Sequence, residues 1–171
     1  MELIAKEVNK RIRGKTILSD VNLILQSGYI YGFVGRNGSG KTMLFRALSG
    51  LMSITSGTVT WDGKVLRKDF SVLPSLGIVL ENVGLYPELT GVQNLVYLAN
   101  LTHRIGLPEI KNSLRRVGLD PDDKRTYRKY SLGMKQRLAI AQAVMERPDV
   151  IMLDEPTNGL DEDGVRKIRK L

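Results

Sequence analysis

Gly35-Arg36-Asn37-Gly38-Ser39-Gly40-Lys41-Thr42 fits the template G-x-x-x-x-G-K-[ST] at every fixed position. Its neighbours supply the context that the template needs. Tyr29-Ile30-Tyr31-Gly32-Phe33-Val34 is an apolar run of strand length, while Met43 to Ser49 has helical character and ends at Gly50, a helix-terminating glycine. Strand, loop and helix in that order predict a cradle for a phosphate chain. Glycines let backbone N–H groups turn inward, and the following helix aims its positive end at the same spot. Lys41 then reaches the β and γ phosphates and the Thr42 hydroxyl takes a place on Mg²⁺. Gly35, Asn37, Gly38, Ser39, Gly40 and Met43 complete the expected nucleotide-binding run.

Length and composition bound what else is possible. A chain of 171 residues with an apolar share of 42% has the material for one domain with a real core. It contains no cysteine, which excludes a disulfide framework and thiolate metal sites. No stretch approaches the roughly 18 to 20 apolar residues that span a bilayer, and Met1 to Lys6 lacks the shape of a signal peptide. A membrane role would therefore run through a partner. The net charge of +8 favours anionic partners without choosing among nucleotide, lipid surface and nucleic acid.

Along the chain, Glu2 to Val8 and Val21 to Leu25 read as strands joined through a turn at Arg13-Gly14-Lys15. A hairpin follows the first helix, with Gly57 to Trp61 and Lys64 to Leu66 joined by the primed turn Asp62-Gly63. Leu76 to Leu80 is a continuous apolar strand that ends at Glu81-Asn82. Thr90 and Gln93 have capping-box spacing ahead of Val92, Leu95, Val96 and Ala99, which share one helical face. A second helix opens at Pro108, carries Ile110, Leu114 and Val117, and stops near Gly118. After Tyr130 to Arg137 comes an alanine-rich helix, closed by Pro148.

Val150-Ile151-Met152-Leu153-Asp154-Glu155 then places two acids at the end of four apolar residues. A buried parallel strand would deliver both carboxylates to the carboxyl edge of a sheet, where ligands of such folds bind. Asp154 is placed to hold Mg²⁺, directly or from behind its ligands, and Glu155 to polarise an attacking water. Taken alone, a strand followed by a capping acid and a turn would look the same.

The order of these motifs resembles the nucleotide-binding subunit of ATP-binding cassette (ABC) transporters. Gly35 to Thr42 matches the Walker A motif, Val150 to Glu155 the Walker B motif with its catalytic glutamate, and Asn158-Gly159-Leu160-Asp161 the D-loop. Ser131-Leu132-Gly133-Met134-Lys135-Gln136-Arg137 resembles the signature, with Leu132 and Gly133 at the usual glycine pair and Met134 at the usual glutamine. The resemblance implies an α/β fold. Its parts would be a P-loop NTPase core of mostly parallel sheet flanked by helices (1–85 and 130–171), an N-terminal antiparallel β patch, and a helical insert (86–129) that contacts a membrane partner. It implies ATP and Mg²⁺ as cofactors. Two subunits would pair head to tail as a homodimer, with Ser131, Gly133 and Met134 facing the ATP of the opposite subunit and Asp161 in the D-loop. An integral membrane permease would be the second partner, at the cytoplasmic face of the cell membrane, and no nucleic acid is expected.

Three departures qualify what the resemblance implies. Ile12 stands where an aromatic residue usually stacks on adenine, which weakens selectivity against GTP. Tyr29 and Tyr31 read as strand core instead. Glu81 replaces the glutamine that helps hold Mg²⁺ and water; as an oxygen ligand it suits that cation, and exporters of the bacitracin and lantibiotic-immunity type resemble this chain in carrying it. Finally, the family's switch histidine belongs on a strand downstream of Leu171, so the resemblance implies a C-terminally shortened cassette, and His103 reads as a surface helix residue. The expected function is ATP binding and hydrolysis that powers export. The alternative is a nucleotide-binding interaction module without appreciable hydrolysis.

Overall fold

The computed structural model of the chain describes residues 1–80 and 84–169. These form two compact units, Met1–Pro74 and Ser75–Leu171.

The first unit is built on an antiparallel sheet. β1 (Glu2–Ile12) and β2 (Lys15–Gln26) pair from Glu2↔Gln26 to Ile12↔Lys15, so the hairpin is joined by Arg13 and Gly14 alone. Both residues have positive φ, 47° and 80°, as the tight primed turn between twisted strands requires. The register shifts where Glu7 and Asp20 take positive φ, and asparagine side chains replace the lost ladder bonds there. Asn22 Oδ1 accepts from the Glu7 amide and Asn9 Oδ1 from the Asp20 amide, both at 2.8 Å. β3 (Ser56–Trp61) lies on the other edge of β1 and turns through Asp62-Gly63 into β4 (Lys64–Val65), giving the order β2-β1-β3-β4. Leu3, Ala5, Val8, Leu18 and Val59 are buried.

α1 (Lys41–Ser49) belongs to the same unit and buries Ala47 and Leu48. It ends where expected, at Gly50, with φ 87°. A Cβ there would stand 2.5 Å from the Ser71 carbonyl oxygen, so both conformation and space call for glycine.

One expectation fails in this unit. Tyr29 to Val34 is not a strand, and Ile30 and Val34 are fully exposed, at 101% and 100%. Strand propensity becomes a strand only where another strand takes up the backbone N–H and C=O groups, and the four strands of this unit's sheet pair only among themselves. Tyr29 and Tyr31 are consequently exposed and not strand core. The Tyr31 hydroxyl accepts from the Gln26 amide at 3.0 Å, and Phe33 packs edge-on against Phe45 of α1 at 5.5 Å.

In the second unit, β5 (Leu76–Val79) and β6 (Val150–Leu153) pair in parallel, from Leu76↔Val150 to Val79↔Leu153. Around them lie α2 (Gly91–Thr102), α3 (Leu107–Arg116), a 3₁₀ turn at Tyr127–Lys129, α4 (Leu132–Val144) and α5 (Glu162–Ile168). The capping box at α2 is complete: Thr90 Oγ1 accepts from the Gln93 amide at 3.3 Å, and Gln93 Oε1 accepts from the Thr90 amide at 2.8 Å. α3 starts one residue ahead of Pro108, and Ile110, Leu114 and Val117 are buried with Leu95, Leu138 and Ile140 in one core. β6 is less covered than a buried strand would be, since Ile151 is 48% exposed and β5 is its one strand partner among the described residues.

Gly77 of β5 faces α4 so closely that a Cβ would fall on the Ala143 carbonyl oxygen and stand 2.9 Å from Pro148 Cγ. Backbone cannot yield as a flexible side chain does. Gly77→Ala should therefore destabilise the fold by about 1–3 kcal/mol, the usual range for an overpacked core. Urea titration checks this, and an unchanged midpoint would contradict the packing of α4 on β5.

Candidate functional site

The phosphate-cradle template lies in the first unit, running from just after Val34 into the first turn of α1. Gly38 and Gly40 adopt φ of 79° and 95°, conformations that side-chain-bearing residues rarely take. At Gly35 a Cβ would come within 2.6 Å of Ser39 Oγ, so the loop closes on itself as tightly as glycine permits. The Ser39 amide donates to the Arg36 carbonyl at 3.1 Å, and Asn37 stands exposed beside it.

α1 opens at Lys41, two residues ahead of the expected Met43, which brings Lys41, Thr42 and Met43 into its first turn. Gly40 is the N-cap, no side chain caps the helix, and no acid lies in the first turn. Helix starts normally satisfy their amides with a side-chain oxygen, and the positive end attracts negative charge. Here neither a capping side chain nor a first-turn acid meets that end. Lys41 Nζ donates to the carbonyls of Gly35, at 2.8 Å, and Arg36, at 3.1 Å, so the ammonium arches over the loop. Phosphate oxygens would replace those two carbonyls as its acceptors.

The second unit gathers the remaining motifs. The Asp154 amide donates to the Val79 carbonyl at 2.9 Å, extending the parallel ladder one residue past β6 and holding Asp154 buried, at 6% exposure. Glu155 follows in a left-handed conformation, φ 45°, an unfavourable geometry for its residue type and one concentrated at functional sites. Its side chain is exposed. Glu155 Oε2 accepts from Asn158 Nδ2 at 2.7 Å, and the Asn158 amide donates to the Glu155 carbonyl at 3.1 Å.

Ser131 is the N-cap of α4, with Oγ accepting from the Met134 amide at 3.2 Å. Its hydroxyl proton remains available to an acceptor in front of the helix. A Cβ on Gly133 would lie 2.7 Å from the Gly159 carbonyl, and one on Gly159 would lie 2.6 Å from Leu132 Cγ. Signature and D-loop are thus interlocked through two glycines. Asp161 caps α5 by accepting from the Gly164 amide at 2.9 Å and also accepts from an Arg137 guanidinium nitrogen at 2.7 Å. Arg137 is mostly buried, and its Nε has no hydrogen-bond partner among the described residues. Met134 packs against the helical core. Behind the signature, burial pushes the Tyr127 and Tyr130 hydroxyls above their ordinary range, so both stay neutral.

The structure therefore brings Ser131, Gly133, Asp154, Glu155 and Asp161 together within one unit, and Gly35 to Met43 within the other. Glu81 lies outside the described residues. His103 is exposed at the end of α2, as expected. Among the described residues no cluster of three His, Cys, Asp or Glu side chains could hold a metal alone. Each unit carries a hard oxygen donor of the kind that Mg²⁺ takes, the Thr42 hydroxyl in the first and the Asp154 carboxylate in the second. The sequence reading missed two contacts: Asn158 on Glu155, and Arg137 on Asp161. The first had a local signal in its three-residue spacing; the second joins positions 24 apart and had none. An open depression of about 560 Å³ in the second unit is lined by His103, Arg104, Glu109, Glu146 and their neighbours and by no motif residue.

Comparison with known proteins agrees with the motif order. A family model described as ABC transporter matches residues 18–158. The ABC transporter ATP-binding protein YybJ of Bacillus subtilis (strain 168) is 46% identical over 158 residues, covering 92% of this chain and 72% of that protein. The bacitracin transport ATP-binding protein BcrA of Enterococcus faecalis is 39% identical over 172 residues, 99% of this chain and 56% of its own length. The chain thus spans little more than half of several curated relatives that it matches. Among solved structures, the dimeric bacterial ABC transporter cassette MJ0796 superposes with a TM-score of 0.86 at 24% identity, covering 98% of this chain and 80% of that one. At that identity the likeness speaks for the fold.

Proposed function

Because the chain belongs to the ABC transporter family of ATP-binding proteins, we propose that it binds and hydrolyses ATP to power export through a separate membrane subunit. The observation that carries this reading is the loop from Gly35 to Lys41. Its two left-handed glycines, uncapped helix start and overarching ammonium make a receptacle for a chain of phosphates. Mg²⁺ would be held by Thr42 and Asp154 and would offset charge on the phosphate oxygens. Glu155 is the general base: its carboxylate takes a proton from the attacking water. Glu81 would be a further oxygen ligand.

Two copies pair head to tail, each presenting Ser131, Gly133 and the start of α4 to the nucleotide of the other. That helix start also lacks acidic residues in its first turn, which favours an incoming anion. Residues 86–129 form the surface for the membrane subunit, and the protein works at the cytoplasmic face of the membrane. The likeness to BcrA supports an exporter of the bacitracin type.

Sedimentation in Mg-ATP tests the pairing. The chain should dimerise with ATP, and Ser131→Ala should weaken that step roughly 100-fold or more, because a symmetric dimer loses two hydrogen bonds to charged groups, each worth about 1.5–3 kcal/mol. Nucleotide affinity of the dilute monomer should stay unchanged. A loss of monomer affinity would mean that Ser131 serves its own subunit's nucleotide, contrary to a head-to-tail dimer.

A further inference from the structure

We propose that Asn158 is a positioning residue that fixes the Glu155 carboxylate for proton abstraction, and that the signature end of α4 braces it. The proposal rests on the reading of Glu155 as general base. Glu155 is exposed and sits on a left-handed backbone, so nothing in its packing selects one side-chain rotamer. Among the described residues its one side-chain partner is Asn158 Nδ2, at 2.7 Å. A carboxylate only accepts, which dictates that the Asn158 amide presents its nitrogen. That bond occupies Oε2 and leaves Oε1 with both lone pairs for water. The donor is also neutral, so it orients the carboxylate without placing a second charge beside it.

Asn158 is itself held on both sides. Its own amide donates to the Glu155 carbonyl at 3.1 Å, closing a turn. Beyond it, Gly159 lies against Gly133 and Leu132 with no room for another atom, and Asp161 is tied to Arg137 at 2.7 Å. Gln136 Nε2 reaches the Glu155 carbonyl at 3.5 Å from the same helix. A segment fixed at these points holds the amide still, and preorganisation of this kind determines whether a base is effective. Leu132, in the place of the first signature glycine, is part of the brace, since its side chain fills the space above Gly159.

The test compares steady-state hydrolysis by the wild-type chain, Asn158→Ala and Asn158→Asp, with Glu155→Gln as reference. Misplacing the base should lower kcat roughly 10- to 100-fold and leave the KM for ATP within about twofold. Asn158→Asp keeps the shape but removes the donor and adds a like charge, so it should fall at least as far; a purely structural role would spare it. In the Glu155→Gln background, Asn158→Ala should change residual turnover by less than about twofold, because residues acting as a unit are not additive. A readout free of turnover is the Asn158 side-chain amide resonance, which should move on Glu155→Ala.

If Glu155→Gln is inactive while Asn158→Ala or Asn158→Asp keeps wild-type kcat, the proposal is overturned and the hydrolysis reading stands. An Asn158 amide resonance that ignores Glu155→Ala overturns it as well. A wild-type chain without turnover overturns the hydrolysis reading, and the positioning role of Asn158 falls with it.

Discussion

Glu155→Gln should reduce kcat for ATP hydrolysis by roughly 10²- to 10⁴-fold, the usual contribution of a positioned general base. Glutamine keeps the length and shape of the side chain, and its carbonyl oxygen can still accept from Asn158 Nδ2, the bond seen at 2.7 Å. It cannot take a proton. Binding should therefore survive, with affinity for ATP within a few-fold of wild type, and the ATP-bound dimer should persist longer. Phosphate release measured on both chains decides the matter. Equal rates would remove Glu155 from the chemistry and favour a nucleotide-binding module that docks without turnover.

Lys41→Ala should weaken ATP binding by at least about 100-fold, since a charge-assisted hydrogen bond is worth roughly 1.5–3 kcal/mol and the ammonium can make more than one. In the structure its partners are the carbonyls of its own loop, Gly35 and Arg36. Those bonds are exposed, and losing them should cost the fold little. The variant therefore separates binding from folding: thermal unfolding without nucleotide should barely change, while the stabilisation normally given by ATP should vanish. Isothermal titration checks the affinity. An unaltered binding constant would place the triphosphate elsewhere.

Local chemistry was legible in the sequence. The Thr90–Gln93 capping box, the Asp62-Gly63 turn and the left-handed Gly50 each follow from interactions spanning a few residues, and each stands as expected. What depended on distant partners was not. Tyr29 to Val34 has the composition of a strand, yet no strand of its own unit takes up its backbone. Ile151 was read as buried, but in a two-stranded sheet it stays half exposed. The start of α1 was placed two residues late because Gly40 as N-cap offers no side-chain signal. The site divides the same way. Gly35 to Thr42, Asp154 and Glu155 are readable because their chemistry fixes residue type and spacing. Arg137 on Asp161 is not, since only the fold brings positions 24 apart into contact.

Amide chemical-shift mapping during titration with Mg-ATP tests the phosphate cradle most directly. Saturable shifts concentrated at Gly38, Ser39, Gly40, Lys41 and Thr42, and lost in Lys41→Ala, are the predicted result. Saturable binding that leaves those amides unmoved, or no binding at all, would contradict it.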